Sequence, residues 1–185
     1  MANQRLIDFY RGDGVDDAGR TIAEVLAFDH RRLEGVHDFI QWLFPTATQS
    51  QFNANAPLLD EETAAVFRSD ILIRERMQEA LGVMLEFYGL QLHVSDEAVL
   101  VRRGANYRAR RRNWLNTMPG MTNHNMLRIT RILESLTQVG MADYAVALYG
   151  CLADIAREEP ERISPRTQKF WQQAVQAADD GDTAF

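Results

Sequence analysis

The sequence predicts an all-α fold, a single compact multi-helix domain of about eight helices, on three observations. Apolar residues recur at three- and four-residue spacing along most of the chain, capping and stopping residues punctuate those runs, and no set of alternating segments sufficient for a sheet is present. With 185 residues, 46% of them hydrophobic, the chain can bury about two-thirds of its unfolded surface in one core, and it is too short for two full domains.

Taken in order, residues 12–19 are a glycine and aspartate loop that stops the first segment. Asp13, Asp17 and Glu24 occupy the first, fifth and twelfth places of a calcium loop, but Val15 and Ala18 stand where an oxygen ligand and the sharp-turn glycine are needed, so no calcium site is expected. Thr21 caps a short helix to about residue 30. Leu33, Val36, Phe39, Ile40 and Leu43 share a stripe and predict a helix over 33–44, ended by Pro45. Residues 46–57 are polar and lack a period, which predicts an irregular surface loop. Asp60 caps a helix to about 68. Asp70 opens a longer one, with Ile73, Met77, Ala80, Leu81, Met84 and Tyr88 on one face and Gly89 as its stop.

Residues 90–101 alternate poorly, and an extended pair around 92–94 and 99–101 is the weaker reading there. Residues 105–116 read as helix, broken by Met118, Pro119 and Gly120. Thr122 or Asn123 caps the next helix, to Val139, with Gly140 after it. Residues 141–158 carry Tyr144, Leu148, Cys151, Leu152 and Ile155 on one face, before Pro160. Ser164 and Pro165 start a last helix to about 178, and 179–185 is a polar, frayed end.

Net charge is −6, which disfavours a generic nucleic-acid or anionic-membrane binder. Cys151 is the only cysteine, so neither an intramolecular disulfide nor a multi-cysteine zinc site can form. Residues 1–10 lack the apolar stretch of a signal peptide, and the most apolar segment, 81–90, is interrupted by Glu86 and falls short of the roughly 18 residues a membrane span needs. A cytoplasmic protein with no transmembrane segment is the expectation.

Three constellations could carry function. His124, Arg128 and Arg131 fall on a stripe opposite Met126, Ile129, Leu133 and Leu136, which suits an anion or carboxylate site near a helix N-terminus, or else solvated side chains paired with neighbouring acids. In the 33–44 helix, His37 and Gln41 are four apart and can touch, beside Asp38. They suit a half-buried hydrogen-bond network, or the polar rim of a pocket floored by Trp42. Arg102, Arg103, Arg108, Arg110, Arg111 and Arg112 flank Tyr107 and Trp114, an interleaving that a stacked base or a phosphate could use, although a solvated face is the plainer reading.

The inventory for an enzyme is thin. Cys151 shares an apolar stripe, and His30, His37, His93 and His124 have no i, i+4 ligand spacing. No phosphate-cradling glycine loop or elbow serine appears, so no catalytic residue, metal or cofactor is expected.

The run His37-Asp38-Phe39-Ile40-Gln41-Trp42-Leu43-Phe44-Pro45 and the run Asn123-His124-Asn125-Met126-Leu127-Arg128-Ile129-Thr130-Arg131-Ile132-Leu133 resemble hallmarks of one family, the opioid growth factor receptor conserved region. Phe9-Tyr10-Arg11, Leu85-Glu86-Phe87-Tyr88-Gly89-Leu90 and Asn113-Trp114-Leu115-Asn116 fit its pattern in the same order. The resemblance implies a conserved domain over 1–158, with 159–185 a C-terminal helix and tail. It also implies receptor activity toward the opioid growth factor, a Tyr-Gly-Gly-Phe-Met peptide, and for animal members a nuclear and membrane-associated setting. The family occurs in bacteria too, and the near-absence of lysine, with Lys169 the sole one, fits a bacterial member.

The expectation is therefore a non-enzymatic, receptor-like binding module for a peptide or small zwitterion, through His37, Gln41, Trp42, His124, Arg128 and Arg131. An aromatic floor would take the ligand's ring and arginines its carboxylate. The alternative is a scaffold contacting protein or nucleic acid through the basic block over 102–112, with Arg108, Arg110, Arg111 and Arg112 on phosphates.

Overall fold

The computed structural model of the chain describes residues 1–50, 53–116 and 123–176. The break at Met118, Pro119 and Gly120, a cap at Thr122 and the tail 179–185 lie outside them. The described residues form ten α-helices, one 3-10 turn and one antiparallel hairpin, which corrects the expectation of a purely α-helical fold of about eight helices. Two compact units are present: Met1–Val83 with Gln138–Gly140, and Met84–Thr137 with Met141–Phe185.

The first unit holds α1 (Gln4–Arg11), α2 (Ile22–Leu26), α3 (His30–Gly35), α4 (Ile40–Leu43), α5 (Glu61–Ser69) and the start of α6 (Ile71–Tyr88). Side chains set the helix starts: Thr21 and Glu24 form a reciprocal capping box on α2, and Asp29 and Asp60 accept from the third amide of α3 and α5. The single helix expected over 33–44 is two short ones. Gly35 and the β-branched Val36 weaken helix there, Val36 is extended, and Asp38 is drawn to Arg20 at 2.7 Å while Phe39 packs edge-on against Phe28. Tertiary partners thus override the apolar period.

The second unit holds the end of α6, β1 (Leu90–Val94), β2 (Val99–Arg103), α7 (Tyr107–Arg110), the 3-10 turn Arg111–Asn113, α8 (His124–Gln138, to Thr137), α9 (Ala142–Glu158) and α10 (Pro165–Gln176). Gly89, at φ +79°, ends α6 in the left-handed region, and a Cβ there would lie 2.7 Å from Tyr107 Cα. The chain then enters the hairpin with Leu90 paired to Arg103 and Val94 to Val99. Burial of Leu90 and Val101 anchors one face of this short sheet, which lies where the weaker reading put an extended pair, around 92–94 and 99–101. Residues 105–116 form less helix than expected, since α7 tightens into the 3-10 turn after one turn.

Candidate functional site

In the first unit, Trp42 is 1% exposed and its indole N–H donates to Asp17 Oδ2 at 3.4 Å. Arg5 donates to the other Asp17 oxygen at 2.9 Å and stands 5.4 Å from the Trp42 ring centre, while Phe9 packs edge-on at 5.2 Å. Gln41 is also buried, and its Oε1 has no hydrogen-bond partner among the described residues. His37 is exposed and outside any helix, so the helical register that would set it beside Gln41 is absent. The aspartate loop is organised by Asp16, which accepts from the Ala18 and Arg20 amides and holds the Arg20 guanidinium, itself bonded to Asp38. Asp16 was not among the candidates; the Asp-to-Arg spacing of four is its only sequence signal.

In the second unit, α8 is buried on more than its apolar face: Asn125, Arg128, Ser135 and Thr137 are buried with Met126, Ile129, Leu133 and Leu136. The stripe of His124, Arg128 and Arg131, read as an anion site or as solvated side chains, is therefore not one environment. His124 is exposed, Arg128 is 5% exposed and donates to Asn125 Oδ1 at 3.1 Å, and Arg131 is half-buried. Burial lowers the Arg131 pKa, opposed by Glu134, whose carboxyl is raised by burial and lowered less by Arg131. His37, Gln41 and Trp42 belong to one unit and His124, Arg128 and Arg131 to the other.

Two concavities lie within the second unit. The larger, of about 490 Å³, runs along β2 above α9 and is lined by Leu100, Val101, Arg103, Val146, Gly150 and Cys151 among others. Gly104 N–H donates to Gly89 at 2.8 Å and Ser95 N–H to Ala98 at 3.0 Å. By antiparallel alternation the Gln91–Arg102 and His93–Leu100 pairs also exchange bonds, and the backbone groups of Val99, Val101 and Arg103 point away from β1. No hydrogen bond to those outward groups is present among the described residues. Cys151, half-buried in the floor, has its thiol pushed up to about 11 by burial, partly offset by Arg103. That suppresses thiolate and agrees with an unreactive thiol.

The smaller concavity, of about 240 Å³, is lined by Arg108, Arg111, Arg112, Leu115 and Arg162. Glu159 accepts from Arg111 Nη1 at 2.9 and 3.0 Å and forms an ion pair with Arg162, whose Nε lies 3.1 Å from Oε2. Arg162 Nη1 donates to the Asn116 carbonyl at 2.9 Å. Tyr107 and Trp114, the expected stacking partners, are both buried, and Trp114 donates to the Tyr88 carbonyl at 3.0 Å. Burial and Glu159 raise the Tyr107 hydroxyl to about 12. Glu159 and Arg162 come from a distant segment and carried no local signal. Among the described residues, no group of three or more His, Cys, Asp and Glu side chains is gathered as a metal site requires, and no helix is long and apolar enough to cross a membrane.

The model of the opioid growth factor receptor (OGFr) conserved region matches residues 8–177. The chain belongs to that family. It is 40% identical over 116 residues to the mouse and human proteins named opioid growth factor receptor, covering 63% of this chain. It is 35% identical over 138 residues, 73% of this chain, to the opioid growth factor receptor-like protein 1 of Xenopus tropicalis. The matched segments span 17% of the mouse, 16% of the human and 24% of the frog protein, so the chain is similar to only a part of each relative. No solved structure matches it.

The OGFr family motifs are mutual partners within each unit. Asn113 Nδ2 donates to the Phe87 carbonyl at 2.8 Å, and Asn123 and Asn125 donate to the Asn113 carbonyl at 3.2 and 2.8 Å, which links three of the motifs. In the first unit Tyr10 donates to the Leu43 carbonyl, and Phe9 packs on Trp42. The motifs thus bond and pack against one another, and of their residues Leu115 lines the smaller concavity.

Proposed function

We propose that this chain is a non-enzymatic, receptor-like binding module whose ligand is an extended peptide, added as a strand along the outer edge of β2 above α9. The observation that carries this reading is the unpaired edge of Val99, Val101 and Arg103 beside a groove of about 490 Å³. A strand edge offers alternating donors and acceptors at a fixed repeat, which an extended main chain satisfies and a compact metabolite does not. The groove supplies the apolar part: Leu100 and Val146 are 43% and 55% exposed at its rim, and Ala147 and Gly150 keep its floor low. Arg102 and Arg103 add charge at one end, Asp154 and Glu158 along the helix, with Arg103 held by Glu158 at 2.7 Å. The relatives' name, opioid growth factor receptor, agrees with a peptide ligand.

The test is a pair of heptapeptides of one sequence with alternating valine, one with free amides and one N-methylated at alternate residues on either register. Titration calorimetry should detect the first and find the second at least about tenfold weaker, because methylation removes the donors a strand must supply. Equal affinity for both would remove the strand-edge reading.

A further inference from the structure

We propose that the arginine cleft of the second unit is a site for a phosphate dianion carried on a side chain of a partner protein, a phosphomonoester. This goes beyond the peptide groove and does not depend on it. Arg108, Arg111, Arg112 and Arg162 line one concavity of about 240 Å³, and Leu115 is the remaining lining residue. Four arginines thus line one cleft in a protein whose net charge is −6. Like charges are not gathered without cost unless counter-charge compensates them.

The compensation present is partial and positional. Glu159 is the close carboxylate, 17% exposed at its side chain, and both of its oxygens serve to fix Arg111 and Arg162. The Asn116 carbonyl takes a further Arg162 donor, and Glu161, itself exposed, reaches Arg162 only at 3.6 Å. Two arginines are therefore held by fixed partners, each with further N–H donors, a preorganised arrangement. Arg108 and Arg112 are exposed and have no ion-pair partner among the described residues. Arg108 belongs to α7 and Arg112 to the 3-10 turn that follows it, and both line the cleft.

The chemistry of the ligand follows from what the cleft contains and lacks. An Arg fork matches the paired oxygens of a phosphate, and a dianion with three terminal oxygens can engage more of these donors than a carboxylate can. A single-stranded nucleic acid would want an aromatic platform, yet Trp114 is 0% and Tyr107 8% exposed, so neither ring is open to a stacked base. The acidic chain also opposes a long polyanion, whereas one compact dianion needs only the local field.

The experiment uses the intact chain and titration calorimetry with a capped pentapeptide centred on phosphoserine, its unphosphorylated twin, inorganic phosphate and a single-stranded oligonucleotide. The phosphopeptide should bind at least about tenfold more tightly than its twin, and more tightly at pH 7.5 than at 5.5, as phosphate loses its second proton near about pH 6. Arg108→Gln and Arg112→Gln should each weaken it at least about fivefold, while Arg31→Gln, exposed on α3 of the first unit and lining neither concavity, leaves it unchanged. Because Arg108 and Arg112 are exposed, unchanged melting temperatures should accompany the loss. Equal binding of the twin, indifference to Arg112→Gln, or equal weakening by Arg31→Gln would overturn the site. Tighter binding of the oligonucleotide, or of inorganic phosphate alone, would overturn the assignment to a phosphorylated protein partner. Failure of the N-methylated heptapeptide test would leave this result untouched, since the two sites share no lining residue.

Discussion

Asn125 Nδ2 donates to the main-chain carbonyl of Asn113 at 2.8 Å, tying the first turn of α8 to the 3-10 turn twelve residues earlier. The same side chain accepts from Arg128 Nη1 at 3.1 Å, so one fully buried amide satisfies a carbonyl and helps hold a buried guanidinium. Removing it leaves polar groups stranded in low dielectric. Asn125→Leu, close in volume, should therefore cost about 2–4 kcal/mol in urea unfolding. A loss below about 1 kcal/mol would mean that water or another group replaces both bonds.

Trp42 makes the parallel case in the first unit. It fills the space against Phe9 and bonds Asp17, so Trp42→Ala should cost about 3–5 kcal/mol. Trp42→Phe keeps an apolar ring and should lose about half as much. Arg5→Ala should change stability by under about 1 kcal/mol, since Arg5 is largely exposed. Urea midpoints for the three variants check the order; an Arg5 effect as large as that of Trp42→Ala would contradict it.

How much of this was legible depended on range. Caps are local chemistry, and Thr21, Asp60, Asp70 and Ser164 all bond the amides their spacing predicts. The break in 33–44 depends on Arg20 and Phe28, which lie outside any helical window around Val36. The hairpin depends on Gly89 halting α6 and on burial of Leu90 and Val101. The second face of α8 escapes periodicity, which assigns polar residues to solvent, whereas Arg128 is buried against Asn125. Of the candidate sites, Arg108, Arg111 and Arg112 were visible as a cluster, but Arg162 and Glu159 reach it only through the fold.

Asp70 offers a pH test. Arg11 donates to its Oδ2 at 3.0 and 2.7 Å, and the Ile73 amide to its Oδ1 at 3.2 Å; Arg11 first and the amide second hold the carboxyl below its ordinary range. A depressed folded-state value means that stabilisation is fully present above the unfolded value of about 3.9 and is lost as pH falls through the folded one. Asp70→Ala should cost about 1 kcal/mol at pH 7, and the gap to the natural chain should close below about pH 4. A gap that stays constant or widens in acid would refute the assignment.

Gly150 separates stability from binding. It lies inside α9 on the groove floor, and a Cβ there would meet nothing within 4 Å. Gly150→Ala should raise stability by about 0.5–1 kcal/mol through helix propensity while intruding on the space for a peptide. Gly82 in α6 has the same open surroundings and lines neither concavity, so Gly82→Ala should stabilise without touching affinity. Peptide titration and thermal melts on both variants check the pair; equal affinities would argue against a ligand on that floor.

Cys151 provides a probe of the same floor. Burial raises its thiol to about 11 against the partial relief given by Arg103, so at pH 8 only a small fraction is thiolate. Alkylation by iodoacetamide should run about a hundredfold slower than for a free cysteine, and its rate should still be climbing above about pH 9, where a free thiol begins to level off. Because the residue lines the groove, the strand-forming heptapeptide should slow the reaction further while its N-methylated form should not. Rapid alkylation at pH 7 would show that the thiol is neither buried nor raised. Equal protection by both peptides would show that shielding does not require a strand on β2.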